Sequence, residues 1–245
     1  MLVATRSGPL SGPATLYGEM VILAEDVLLL LIDDASGKAV VDRNHLDLAL
    51  AGGVLLELAT SGRVDVAGPG EQVKAGRLVV RDDRPTDDIV LDAALRRVAA
   101  LGPKKPEHVL PKLARGLRDE LLERLIGREI LRAQEGRVLG VFPRHTWPTI
   151  DPSHEREVRA GLRDVLVVGR TPTPREAALI SLLEAINQVP KVLGEVGVPA
   201  KALRRRAKEV AAGGFADEAV RRAVQALAAA TSAAISSAAS VGGVT

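Results

Sequence analysis

A chain of 245 residues, 47% hydrophobic and 26% charged, is long enough to bury about 70% of its unfolded surface. Its 33 basic and 31 acidic residues leave a formal net charge of +2, which excludes a whole-molecule positive field, so any electrostatic partner must be met by a local patch. Cysteine is absent, which excludes disulfides, thiolate metal sites and cysteine nucleophiles and suits a reducing compartment.

Residues 1–20 carry Gly, Pro and Ser without an apolar run of signal-peptide length and read as a flexible leader, with Met20 as an alternative start. The patterned part opens with an acidic-apolar segment, LAEDVLLLLIDD, from Leu23 to Asp34. In LDLALAGGVLLELATSGRV, Leu46, Leu50, Gly53, Val54, Leu56 and Leu58 give an apolar helix face. Gly52 and Gly53 admit a close second helix, and Gly62 can take the left-handed conformation that stops the first. Arg63–Val66 and Arg77–Arg81 flank a Gly-Pro-Gly loop and should pair as a hairpin. That loop reads as a turn rather than a phosphate cradle, because no third glycine or helix follows at the required spacing. Thr86 and Asp87 can cap the next helix, through Val90, Leu91, Ala94, Leu95 and Val98. The acidic pairs Asp82-Asp83 and Asp87-Asp88 are accounted for by turn and cap chemistry before a cation need be invoked.

The most useful polar feature is LPKLARGLRDELLERL, Leu110 to Leu125. Read as one helix, it places Lys112, Arg115 and Arg118 along a single face. Arg115 has Asp119 four residues on, whereas Arg118 meets Leu121 and Leu122 there, so the stripe offers guanidinium donors shaped for phosphate oxygens. A second hairpin is expected from Arg137–Phe142 and the segment around Trp147. Leu139, Phe142, Arg144 and Trp147 put apolar and aromatic groups next to arginines, a combination suited to a membrane interface.

Asp151 and Pro152 start a helix through Val158, Leu162, Val165 and Leu166 that Gly169 closes. Thr173 and Pro174 open another, apolar almost all round and therefore central. A helix over Lys201–Ala211 stops at Gly213 and Gly214, and Asp217 begins an Ala-rich last one. Its stretch from Ala223 to Val241 has no formal charge but few bulky apolar residues, so it reads as a small-residue bundle helix rather than a membrane span. The expected fold is mainly α: a single globular helical-bundle domain over residues 21–240, with one or two peripheral β-hairpins and a tail at 241–245.

The sequence lacks G-x-S-x-G, G-x-x-x-x-G-K-[ST] and H-E-x-x-H. His45, His108, His145 and His154 are scattered, with no metal pair on one helix face. No catalytic residue, cofactor or metal is therefore expected.

Three segments resemble one family: LAEDVLLLLIDD, LALAGGVLLELATSGRV and GRTPTPREAALISLL are similar to those of the Golgi phosphoprotein 3 family, over about Val21 to Ser240. The resemblance implies a non-enzymatic peripheral membrane protein that binds phosphatidylinositol 4-phosphate on the cytosolic face of a membrane and adapts the tails of membrane proteins. Arg115 and Arg118 fall on the two arginines that hold the lipid head group in that family. A tryptophan and an arginine of the eukaryotic pocket fall on Asp42 and Ala51, aligned through Glu25-Asp26-Val27 and Leu56-Glu57-Leu58. A less selective grip on anionic phospholipid head groups survives those replacements better than a shaped pocket does. The hairpin at 137–149 corresponds to one that serves membrane contact and self-association in the family, which implies a homo-oligomer. The Ala, Val, Arg and Gly bias points to a bacterial source.

A different class is a winged-helix nucleic-acid binder, since helix, Ser-Gly-Arg, strand and hairpin follow in its order. Its recognition helix, Leu46 to Thr60, would carry no lysine or arginine and would carry Asp47 and Glu57. No nucleic acid is therefore expected as partner.

Overall fold

The computed structural model describes residues 21–138, 142–213 and 218–241. Helix α1 (Leu23–Leu30) is buried along its whole length, Glu25 and Asp26 included. Two carboxylates cap its start: Glu25 accepts from the Ile22 N–H at 2.9 Å and Glu57 from the Leu23 N–H at 2.7 Å. Helix α2 (Arg43–Thr60) starts at Asp42, whose carboxylate accepts from the His45 N–H at 3.0 Å. It is the central element, its apolar residues buried on every side.

The adjacent glycines of α2 serve two neighbours rather than the one expected. A Cβ on Gly53 would lie 2.9 Å from the Ala24 Cα, while one on Gly52 would lie 2.7 Å from the Thr231 Oγ1. Each glycine thus lets a different helix approach, α1 on one side and α10 (Glu218–Val241) on the other. Thr231 of α10 stands at this contact, and Ala223, Val224, Leu227 and Ala230 are buried with it, in line with a bundle helix. Gly62, at φ +72°, ends α2 as its position predicts.

Strands β1 (Val64–Val66) and β2 (Leu78–Val80) pair antiparallel, with Val64 opposite Val80. Helix α3 (Ile89–Leu101) is capped by Asp88, one residue later than expected, its carboxylate accepting from the Val90 and Leu91 N–H groups at 2.9 and 3.0 Å. Asp87 turns the chain with φ +64°.

The long basic helix is two helices. Helix α4 (Pro106–Leu113) ends at Ala114, Gly116 takes φ +76°, and α5 (Leu117–Gly127) begins after it. Burial explains the break, because Val109, Leu110 and Leu113 of α4 and Leu117, Leu121, Leu122 and Leu125 of α5 must all reach the core.

Strands β3 (Gln134–Val138) and β4 (Phe142–Thr146) form the second hairpin. Helix α6 (Ser153–Arg163) begins one residue later than expected, with Asp151 accepting from the Ser153 N–H, and runs into a π-helical turn, Asp164–Val168, that Gly169 closes at φ +95°. Helix α7 (Pro174–Ala185) has the capping box of Thr173 and Glu176 and is buried from Ala177 to Leu183. The short α8 (Val189–Leu193) went unrecognised because Pro190 reads as a breaker, yet it sits in the first turn, where proline is tolerated. Helix α9 (Ala200–Ala212) packs on α7 and α8 through Leu203 and Ala207.

Among the described residues the fold comprises ten α-helices and two antiparallel hairpins, a mainly-α bundle around α2. Residues 1–20 and 242–245, Leu139, Gly214 and Asp217 lie outside the described residues.

Candidate functional site

Helix α5 is positioned by buried charge. Arg124 meets Glu25 at 3.2 Å and Asp88 at 2.8 Å, and Arg128 meets Glu25 at 3.3 Å. Burial pushes the Glu25 carboxyl up, against the opposing pull of the Ile22 N–H and the two guanidinium groups. Burial opposes ionisation of Asp88 as well, but its bonds to Arg124 and to two backbone N–H groups prevail and hold it below the usual range. A second cluster joins α1 to α7: Arg175 meets Asp26 and Glu57, both at 2.7 Å, and donates to the Val21 carbonyl. His154 of α6 meets the other Asp26 oxygen at 2.6 Å. The acidic pair in an otherwise apolar segment is the sequence signal for these clusters, since buried charges are retained only with partners.

A groove of about 510 Å³ lies between α2, α4 and α10. Asn44, Asp47 and Leu48 of α2 form one wall, and Glu107, Pro111, Ala114 and Arg115 of α4 and its following turn form the other. Ala234, Ser237 and Ala238 of α10 complete it. The structure distributes the expected basic stripe over three settings. Lys112 lies exposed on the last turn of α4. Arg115 lies exposed in the turn, lines the groove and makes no ion pair or hydrogen bond among the described residues. Arg118 is turned inward, 14% exposed, with its guanidinium 3.3 Å from Asp47 of α2 and 3.6 Å from Asp119. The expectation that Arg118 lacks an acidic partner in its helix is corrected by Asp119, and its closer partner comes from another helix.

Asp47 is the residue that sequence reasoning passed over as a site group. Burial pushes its carboxyl up, while Arg118 and Arg43 pull the other way. Its Oδ1 and the Arg118 Nε are shut off from solvent without a hydrogen bond, so charge attraction rather than a well-formed fork holds the pair.

The second hairpin is rooted beside the α1–α2 connection. The Trp147 N–H donates to the Gly37 carbonyl at 3.1 Å, and the Thr149 hydroxyl donates to Asp34 at 2.7 Å. Trp147 is therefore at the root of the hairpin, half-buried against the core, and not at its tip. Phe142 pairs in register with Val138 beside the tip, and Arg144 with Gly136.

The sequence model of Golgi phosphoprotein 3 (GPP34) matches residues 23–227. This chain belongs to the Golgi phosphoprotein 3 family. The match extends from the first residue of α1 into α10 and so covers both walls of the groove and the buried clusters. The three segments that carry the family resemblance meet in space: Asp26, Glu57 and Arg175 come one from each. Asp42 serves as a helix cap and Ala51 is fully buried, so neither supplies a cation. Among the described residues, no helix is long and apolar enough to cross a membrane.

Proposed function

We propose that this chain is a non-enzymatic peripheral membrane protein that docks on the cytosolic face of a membrane by holding anionic phospholipid head groups in the groove of Asp47 and Arg115. The docking unit is the domain over residues 21–240. The observation that carries the reading is Arg115, a cation with open donors at the edge of a groove with an apolar lining, in a member of a family whose resemblance assigns the head group to this position. Lys112 stands exposed three residues earlier, on the last turn of α4.

Magnitudes set the character of the binding. Each cation near an anionic surface contributes about 1 kcal/mol, and a buried aromatic side chain adds about 1.5–3 kcal/mol. Arg118, already paired with Asp47, contributes less than its charge implies. A head-group contact from Arg115, the attraction of Lys112 to the anionic surface, and Phe142 and Arg144 of the hairpin together give a reversible attachment. Self-association through the 137–149 hairpin would strengthen it by multivalency. A docked protein of this kind is placed to adapt the cytosolic tails of membrane proteins.

Liposome co-sedimentation tests the reading, with phosphatidylcholine vesicles against the same vesicles carrying anionic lipid. Wild type is expected to pellet only with the anionic vesicles, and Arg115→Ala/Arg118→Ala is expected to lose at least about tenfold in affinity, the equivalent of about 1.4 kcal/mol. Equal and negligible pelleting by both proteins removes the proposal.

A further inference from the structure

We propose that the groove selects a head group with one phosphodiester charge and free hydroxyls, a glycerol or an inositol, over one bearing a phosphomonoester. The inference rests on the head-group reading above and assigns Asp47 as the residue that sets the selectivity.

Charge count within the groove is the first argument. Arg115 is the one cation among the lining residues, whereas Asp47 and Glu107 are both acidic. Glu107 is offset by Lys105 at 3.3 Å. Asp47 is offset by Arg118 at 3.3 Å and more distantly by the largely exposed Arg43 at 3.9 Å. Arg115 thus remains as the single uncommitted positive charge of the lining, with the exposed Lys112 standing outside it, which matches a phosphodiester. A phosphomonoester carries about −1.5 to −2 near neutral pH. It would have to take Arg118 from Asp47 and leave that carboxylate uncompensated beside it, or share Arg118 with a group of its own sign.

Hydrogen-bond polarity is the second argument. Asp47 and Glu107 as carboxylates only accept, and Asn44 adds a side chain that both donates and accepts. Such a wall is complementary to hydroxyl donors of a polyol. A dianionic phosphomonoester has no hydrogen to offer, so it would face acceptors with acceptors. Leu48, Pro111, Ala234 and Ala238 supply an apolar surface for the carbon frame of such a ring or chain.

The experiment uses the full chain with phosphatidylcholine vesicles doped with phosphatidylglycerol, phosphatidylinositol or phosphatidylinositol 4-phosphate at matched total surface charge. Wild type, Asp47→Ser, Asp47→Asn and Arg115→Ala are compared, each checked for folding by thermal melting. Wild type is expected to bind the glycerol or inositol phosphodiester vesicles at least as tightly as the phosphomonoester ones. The two diester arms tell glycerol from inositol. Both Asp47 variants are expected to shift the ratio toward phosphatidylinositol 4-phosphate by about tenfold, and Arg115→Ala is expected to weaken binding to all three. A several-fold wild-type preference for phosphatidylinositol 4-phosphate overturns the inference, and so does an unchanged ratio in both Asp47 variants. The wild-type ratio decides by itself where the variants do not fold. Vesicle binding without the expected ratios removes this inference and leaves the head-group reading standing, whereas no binding to any vesicle removes both.

Discussion

Arg124 stands between two carboxylates, Glu25 and Asp88, at 3.2 and 2.8 Å, and its side chain is 14% exposed. Replacing it by methionine keeps the stem and deletes the charge, leaving fully buried Glu25 with Arg128 as its remaining cation. Arg124→Met is expected to cost about 3–5 kcal/mol in urea unfolding, the usual penalty for orphaning one half of a buried pair. Adding Glu25→Gln should recover a large part of that loss, because the two changes act on one interaction. A loss below about 1 kcal/mol for the single variant would mean that the cluster contributes little. At this scale the sequence was half legible. Glu25 and Asp26 inside LAEDVLLLLIDD announce that cations are needed, but they do not say which arginines come from the far side of the core. Asp47 was harder still, since one acid near the start of a helix is what dipole and solvation already allow.

The turn between α4 and α5 separates the two arginines that one continuous helix would have aligned. Gly116 adopts φ +76° with nothing within 4 Å of its missing Cβ, so only backbone strain opposes a side chain there. Gly116→Ala is expected to destabilise by about 1–2 kcal/mol, the penalty for a left-handed alanine. Gly127→Ala, with an ordinary φ and equally open space, is expected to be neutral or slightly stabilising. Equal melting temperatures for the two variants would show that the turn tolerates the change. Most elements were readable from caps and breakers, as with Thr173 and Glu176 on α7 or Gly62 after α2. The α4–α5 break was not, because Ala114-Arg115-Gly116 sits inside a run whose apolar spacing passes for one helix. Only the three-dimensional demand that Leu113 and Leu117 both be buried decides it. The second hairpin was offset in the same way, since strand pairing rather than local sequence places Phe142 in the second strand and makes Thr146 its last residue.

The docking of α6 on α1 makes the stability of the whole bundle depend on pH. His154 is raised above its ordinary 6.5 by its hydrogen bond to Asp26, with burial opposing. Glu155 is raised from 4.5 to about 7, first by burial and then by the nearby Asp34, against the pull of Arg159. Both groups bind a proton more tightly folded than unfolded. Their contributions are therefore present below the unfolded values and lost as pH rises through the folded ones. Stability should fall between about pH 5 and pH 8, the window set by those shifts. Glu155→Gln should flatten the fall, gaining on the order of 3 kcal/mol relative to wild type between those limits. Urea unfolding at both pH values checks this, and the same wild-type-to-variant difference at each would exclude Glu155 as a cause.

The ion pairs of α1 also set an order of events in time. Asp26 finds His154 128 residues and Arg175 149 residues further along the chain, and Glu25 finds Arg128 after 103. During synthesis helix α1 emerges before any of the cations that its two carboxylates pair with. Contacts that span so much of the chain form late in folding. Helix α1 is thus a latch that closes only after Arg175 has been made, which leaves a prematurely terminated chain recognisably unfinished.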